Sequence, residues 1–435
     1  MRTVGIAALT VRGYSNGLLS ARPAETQRNN HPKDHMMKVL IADKLSGKAI
    51  SALEELGCEV ISRPDLTAED LPGALGDAEV LIVRSTKVSA VAIESAPSLS
   101  LIVRAGAGVN TIDLPAASGR GIHVANCPGK NTDAVAELTL GLLIACDRRI
   151  APAWRDLLAG RWRKKEYGKS AGLKGRTLGI LGLGAIGLAV AERASGLGMR
   201  VIAWSRSLTP QRAEELDIGF CATPLDLAGK SDAVSVHLAA AAETKHFVGR
   251  KFLAAMRDGA IFISCARGEV VDTAALKEAI QRKRLRVGLD VYENEPSGGE
   301  ADFGDRELAE LATCTPHIGA STDQAAEAIA EETVRIVASY VQTGKPVNTV
   351  NIQRKSPAKV DLVVRHYNRV GVLADVLREL KNEGINIEEM ENTIFEGGKT
   401  ACCALRLDAE PAADLLAKID NEHIIKMSVK QASAG

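Results

Sequence analysis

The chain reads as an α/β protein: two Rossmann-like, doubly wound parallel-sheet domains followed by a C-terminal βαββαβ module of the ferredoxin-like kind. Three observations predict this. Short β-branched apolar runs alternate with stretches of helical apolar spacing, the pattern of βαβ units and a parallel sheet. A strand, RTLGIL, runs into Gly182-x-Gly184-x-x-Gly187 and then into a helical stretch. The residues after 358 follow the order strand, helix, strand, strand, helix, strand, with a Gly397-Gly398 turn between the middle strands.

The composition agrees with such a fold. At about 150 residues per domain, 435 residues imply roughly three domains. Aromatic residues are only 3%, so the cores must be built from Val, Ile, Leu and Ala, as in parallel sheets covered by helices. Lys+Arg and Asp+Glu are both 54, and this balance argues against a nucleic-acid or membrane-surface partner. No apolar run approaches the ~18 residues of a spanning helix. The eight cysteines form no C-x-x-C pair and no metal-ligand cluster, so no metal is expected; the pattern suits a reducing compartment, the cytoplasm.

Along the chain, residues 1–36 begin basic and free of acid and then turn polar, which reads as a disordered extension or as a targeting segment. KVLIAD is the first strand, residues 46–56 a helix ended by Gly57, and CEVIS, AEVLIV and SLSLIVRAG further strands. Residues 133–146 form a long apolar helix that Thr132 or Asp133 caps. The helix after the glycine loop is expected over residues 188–195. A polar stretch holding Pro357, residues 349–358, reads as a linker. The division expected is a substrate domain over 37–134 and 320–348, a dinucleotide domain over 135–319, and the small module over 359–435.

The glycine pattern is a candidate dinucleotide site. Gly182 allows a tight turn, Gly184 lets backbone approach a pyrophosphate, and Gly187 lets the helix pack on the strand. The N–H groups of Ala185 and Ile186 would face the phosphates at the positive helix end. An acid usually ends the next strand and holds the adenosine ribose. Here that place is Ser205, followed by Arg206. The cofactor is therefore NAD, or NADP if the Arg206 guanidinium pairs with a 2′-phosphate rather than standing as a solvated charge.

Three later strand ends pass into loops: ISCARGEVVD, GLDVYENEP and CTPHIGAST. They offer Arg267, Glu295 and His317. An imidazole can take the proton of a hydroxyl, a carboxylate behind it raises its pKa, and a guanidinium binds a carboxylate bidentately. Those types suffice for hydride transfer from a 2-hydroxy acid.

With GLGAIG, these motifs resemble the D-isomer-specific 2-hydroxyacid dehydrogenases over residues 37–348. The resemblance implies that Arg267, Glu295 and His317 are catalytic, that Asp290 contacts the carboxamide of the cofactor, and that Cys265, Ala266 and Gly319 line the cofactor site with His317. Ala185 stands where that family usually has Arg. LIVRSTKVSA and LIVRAGAGVNTIDL are similar to segments of the family's 3-phosphoglycerate-oxidising branch, which implies that Arg84 and Arg104, with Arg267, bind the anionic groups of 3-phosphoglycerate, as in L-serine biosynthesis. The final module resembles an ACT domain. That implies a site for the feedback effector L-serine on His366, Asn368 and Asn386, although Val370 stands where Pro is usual, and it implies a homo-oligomer, a dimer or tetramer. Two other readings stay open: an NADPH-dependent glyoxylate or hydroxypyruvate reductase, and a non-catalytic nucleotide-sensing regulator.

Overall fold

The structure is a computed structural model that describes residues 36–296, 301–353 and 356–432. Of the extension expected over residues 1–36, residues 1–35 lie outside the described residues.

Five strands form the first sheet: β1 (Lys38–Ile41), β2 (Glu59–Ser62), β3 (Val80–Val83), β4 (Leu101–Arg104) and β5 (His123–Asn126). All are parallel, in the order β2-β1-β3-β4-β5. β3 reads VLIV and is buried on both faces, as a continuous apolar run between two helical layers should be. Val83, Arg104 and Asn126 stand side by side in the register, so the residues that follow these strands share one edge of the sheet. Helix Asp323–Thr343 returns to this sheet and buries Ile329, Ile336 and Val337 against Val39, Ile41 and Leu101.

A second parallel sheet holds β6 (Thr177–Leu181), β7 (Arg200–Trp204), β8 (Gly219–Phe220), β9 (Ala233–Val236), β10 (Ile261–Ser264), β11 (Arg286–Leu289) and β12 (Thr313–Cys314). Their order is β12-β11-β10-β9-β6-β7-β8. The chain direction across the sheet reverses between β6 and β9, and α/β sheets bind ligands at such a switch point. Trp204, Leu181, Val236, Ser264, Leu289 and Cys314 form one cross-sheet row. The residues just beyond that row therefore emerge on one edge.

The third sheet is antiparallel: β13 (Val360–Tyr367), β14 (Ile387–Ile394), β15 (Thr400–Leu407) and β16 (Ile424–Gln431), in the order β14-β15-β13-β16. This is the ferredoxin-like order. Helices Val372–Asn382 and Ala413–Ile419 cover one face, burying Val376, Leu380 and Leu415 on Leu362, Val364 and Leu405. The β14–β15 hairpin turns through Gly397 (φ 84°) and Gly398 (φ 68°), a pair of left-handed residues that suits glycine.

Four local expectations change. The helix after the glycine loop is Ala185–Gly196, because its first turn begins directly at the N-cap Gly184 rather than after Gly187. The long helix is Thr132–Arg148; its N-cap is Asn131, and neither Thr132 nor Asp133 caps it. The short strand β5, HVAN, follows a turn at Gly121 and carries too little apolar pattern to be expected from the sequence. Finally, the first residues of the expected linker are bound to the edge of β5. Val350 N donates to Val124 O at 2.8 Å, Val124 N donates to Asn351 Oδ1 at 2.8 Å, and Thr349 bridges Ala125. An open strand edge needs partners for its backbone groups, and this segment supplies them.

Candidate active site

The glycine loop leaves β6. Gly182 has φ 98°, and a Cβ there would stand 2.8 Å from the carbonyl oxygen of His237. A Cβ on Gly187 would meet Gly182 O at 2.3 Å, so a hydrogen is the largest group that fits between helix and strand. A Cβ on Gly184 would meet nothing within 4 Å. The approach to the first turn, at Ala185 and Ile186, is thus open. These residues fit a dinucleotide: a tight turn, a close-packed helix and an unobstructed positive helix end. Gly182 N also donates to Trp204 O at 2.9 Å, so Ser205 stands directly beside the loop. Ser205 is half-buried and Arg206 exposed.

On the other side of the switch point, Cys265 and Ala266 follow β10 and are buried. Burial pushes the Cys265 thiol up to about 12, so it stays protonated. Asp290 follows β11 and is 1% exposed. Its carboxylate accepts from Thr315 Oγ1 (2.7 Å), Ile318 N (2.8 Å) and Gly319 N (2.8 Å), and so it clamps the loop that carries His317.

His317 is held in the left-handed region at φ 53°. Its Nδ1 lies 2.7 Å from Glu295 Oε2. Glu295 Oε1 accepts from Tyr292 N at 2.9 Å, which fixes the carboxylate from behind. The hydrogen bond to Glu295 raises the His317 pKa above its ordinary value of 6.5, against burial. For Glu295, burial raises the pKa, but the bonds from His317 and from Tyr292 N outweigh it and hold the carboxyl below its ordinary range. Donating Nδ1–H to Glu295 leaves Nε2 as the free acceptor of the ring.

Arg267 follows Ala266 and donates to its carbonyl at 2.7 Å. A Cβ on Gly108 would lie 2.6 Å from Arg267 Nη2, so this guanidinium reaches across to the loop that follows β4 of the first sheet. Gly268 is required there too, since a Cβ would fall 1.7 Å from Tyr292 O. Arg104, the last residue of β4, folds back over Gly106, where a Cβ would stand 1.5 Å from its Nη1. Its Nε is buried and lacks a partner among the described residues. Burial, then the charges of Arg267 and Arg84, lower the Arg104 pKa from its ordinary value. Arg84 follows β3, and its loop is tied down by Asp43: the N–H groups of Arg84, Ser85 and Thr86 donate to Oδ2 at 2.7, 3.1 and 3.1 Å. Burial raises the Asp43 pKa, but these bonds prevail and hold it below the usual carboxylate range.

The structure therefore gathers Arg84, Arg104, Arg267, Glu295 and His317 where the first two sheets meet, with the glycine loop and Asp290 on the adjoining sheet edge. Three contributors do not stand out in the sequence. Asp43 follows the strand KVLI, and Gly106 and Gly108 lie in the run AGAG; a strand-end acid and closely spaced glycines were the available signals.

The residues expected to bind an effector in the C-terminal module are not all together. His366 is 2% exposed; its Nδ1 lies 2.9 Å from Tyr367 O and its Nε2 3.3 Å from Asn392 Oδ1. Asn368 Nδ2 donates to Gly398 O at 2.9 Å, at the same end of the sheet. Asn386 precedes β14, bonded to Glu388 and Asp408. Ile394 pairs with Ala401 and Ala401 with His366, so Asn386 lies about 25 Å along the strand from the His366 end of the same sheet.

Comparison with known proteins agrees with this geometry. The family described as "D-isomer specific 2-hydroxyacid dehydrogenase, NAD binding domain" matches residues 140–319. The chain is 35% identical to the D-3-phosphoglycerate dehydrogenase of Methanocaldococcus jannaschii over 359 residues, 82% of this chain and 67% of that one. It is 40% identical to the hydroxypyruvate reductase of Thermotoga maritima over 305 residues, 68% of this chain and 96% of that one. The NAD+-bound 3-phosphoglycerate dehydrogenase of Entamoeba histolytica superposes with a TM-score of 0.61 at 26% identity, covering 73% of this chain and 99% of that one. Against the phosphoglycerate dehydrogenases, this chain spans between 62% and 67% of the length of relatives from two archaea. The chain belongs to the D-isomer specific 2-hydroxyacid dehydrogenase family, and its second parallel sheet carries that family's NAD-binding domain.

Proposed function

We propose that the protein is a D-3-phosphoglycerate dehydrogenase, oxidising 3-phospho-D-glycerate to 3-phosphohydroxypyruvate in L-serine biosynthesis. The observation that carries this reading is the convergence of Arg84, Arg104 and Arg267 beside the Glu295–His317 pair. A 2-hydroxy monoacid needs one guanidinium. Three, one with its Nε buried and unpaired, suit a substrate charged at both ends. The nicotinamide ring supplies the hydride acceptor. His317 Nε2 takes the hydroxyl proton, Glu295 holds the ring and stabilises its charged form, and Arg267 orients the substrate carboxylate and polarises the forming carbonyl. Arg84 and Arg104 take the phosphate end. The division into a substrate domain, a dinucleotide domain and an ACT domain is part of this reading, with closure of the first two excluding water from the hydride path.

A second reading, a glyoxylate or hydroxypyruvate reductase, draws support from the hydroxypyruvate reductase that the chain matches over 96% of its length. Absorbance at 340 nm separates the two. Turnover of 3-phosphoglycerate with a kcat/KM well above that for glycerate supports the first. Glyoxylate or hydroxypyruvate reduction with no use of the phosphorylated substrate overturns it.

Regulation and assembly belong to the same proposal. L-Serine is the effector, recognised by His366 and Asn368. Since Asn386 is far from both within one chain, its contribution comes from a second copy. A homo-oligomer is supported also by helix Ile150–Leu158: Ile150, Trp154, Leu157 and Leu158 lie on one helical face and are exposed, together with Trp162. Replacing Trp154 with Glu should shift the sedimentation velocity toward the monomer. All eight cysteines are free, in keeping with a reducing, cytoplasmic setting. Among the described residues no helix is long and apolar enough to cross a membrane.

A further inference from the structure

We infer that the dinucleotide site selects the 2′-phosphorylated cofactor, NADP(H), through the turn at residues 205–207. This rests on the reading of the loop at residues 182–187 as the pyrophosphate site. The placement follows from one hydrogen bond: Gly182 N to Trp204 O, at 2.9 Å, sets the end of β7 against the glycine loop. In this fold the residue beyond the second strand meets the adenosine ribose. NAD needs an acceptor there, a carboxylate that takes the ribose 2′-hydroxyl proton into a hydrogen bond and repels a phosphate.

Neither chain segment adjoining the loop carries such a group. No Asp or Glu occurs between Glu192 and Glu214, nor between Asp232 and Glu243, which spans the loop beyond β9 on the other side of β6. What stands there instead is a set of donors. Leu208 N donates to Ser205 O at 3.2 Å, closing a tight turn with Arg206 and Ser207 at its corners. Ser205 is half-buried beside the loop, and Arg206 and Ser207 are exposed. The neighbouring cation Arg212 is engaged by Glu215 at 2.6 Å. Arg206 has no hydrogen bond or ion pair among the described residues. A free guanidinium flanked by two hydroxyls, with no acid in the adjoining chain, is a site for a phosphate dianion and a poor one for a bare 2′-hydroxyl.

Calorimetric titration of the purified protein with 2′,5′-ADP and with 5′-AMP isolates this step, because the two probes differ only in the 2′-phosphate and need no turnover. 2′,5′-ADP should bind at least about tenfold more tightly, the effect of one additional charge-assisted hydrogen bond, with the margin shrinking as salt rises. Arg206→Ala should abolish most of the margin and leave 5′-AMP binding within about twofold, and Ser205→Asp should reverse the preference. Equal binding of the two probes overturns the NADP assignment while leaving the dinucleotide site intact. Binding of neither probe, nor of NAD or NADP, overturns both. A margin that survives Arg206→Ala overturns the role of the turn.

Discussion

Replacing His317 with Asn removes the only imidazole of the gathered cluster while leaving its support in place, and the structure sets the size of each effect. The loop is held by Asp290 through Thr315 Oγ1, Ile318 N and Gly319 N, none of which belongs to the His317 side chain. Asn tolerates the left-handed conformation that position 317 requires at φ 53°. The lost contact is one ion pair whose side chains are 46% and 30% exposed, and such pairs contribute about 0.2–1 kcal/mol. Folding and cofactor affinity should therefore hardly change. Turnover should, because loss of a positioned general base costs about 10²- to 10⁴-fold, or about 2.7–5.5 kcal/mol of barrier. Initial rates at 340 nm with 3-phosphoglycerate give kcat, and quenching of tryptophan fluorescence gives cofactor affinity. A variant with kcat within about threefold of the parent, less than 1 kcal/mol, would remove His317 from proton transfer.

Further outcomes follow from the same geometry. Gly106→Ala places a methyl where Arg104 Nη1 now lies; KM for 3-phosphoglycerate should rise about tenfold or more from one displaced charge-assisted hydrogen bond, and an unchanged KM would show that Arg104 does not meet the substrate. The raised His317 pKa means that the neutral base is lost as pH falls through that value, so the oxidative rate declines on the acid side. Glu295→Gln removes the main cause of the raised value, and the acid limb of kcat/KM should move to lower pH; a limb that stays in place excludes the pair as its source. Buried Glu332 is held down to about 2 by Arg335, with further bonds to Asn348 and Lys130. That contribution is complete above its unfolded value of 4.5 and is lost as pH falls toward 2, so Glu332→Gln should cost about 3 kcal/mol at neutral pH in urea unfolding, and less on acidification. L-Serine should give a calorimetric signal that His366→Ala abolishes, and a titration without heat removes the serine reading.

The central strands of the parallel sheets were legible because both of their faces are buried, and burial on both faces writes continuous apolar runs such as VLIV into the chain. Two strands were not legible: the exposed two-residue β8, and HVAN, where β5 at four residues, opened by His123 and closed by Asn126, carries only two apolar residues and its edge is completed by Thr349 to Asn351, more than two hundred positions away. The residues proposed as catalytic were legible as candidates at strand ends because a parallel sheet sends all its carboxyl ends to one side. Their supports were not. Asp43 acts on Arg84 across 41 positions, and Gly108 matters only because Arg267 arrives from another sheet. Helix starts also slipped, since a glycine N-cap such as Gly184 carries no side-chain signal.

The charge balance of the chain also acquires a local meaning. Arg84, Arg104 and Arg267 lie close enough that the other two lower the Arg104 pKa, on top of its burial. The three guanidinium groups repel one another, and the Asp43 carboxylate, the smallest of the charges acting on Arg104, offsets only part of that repulsion. A substrate with a carboxylate at one end and a phosphate at the other makes its own hydrogen bonds and also cancels repulsion already present, whereas a lone carboxylate cancels only part of it. If the protein is the phosphoglycerate dehydrogenase proposed above, its discrimination for a phosphorylated over an unphosphorylated hydroxy acid comes from the free state of the site as well as from the bound one. The ratio of kcat/KM for 3-phosphoglycerate to that for glycerate should accordingly fall as salt rises, because added ions screen the same repulsion that the phosphate removes. A ratio that ignores ionic strength would place the selectivity in direct contacts alone.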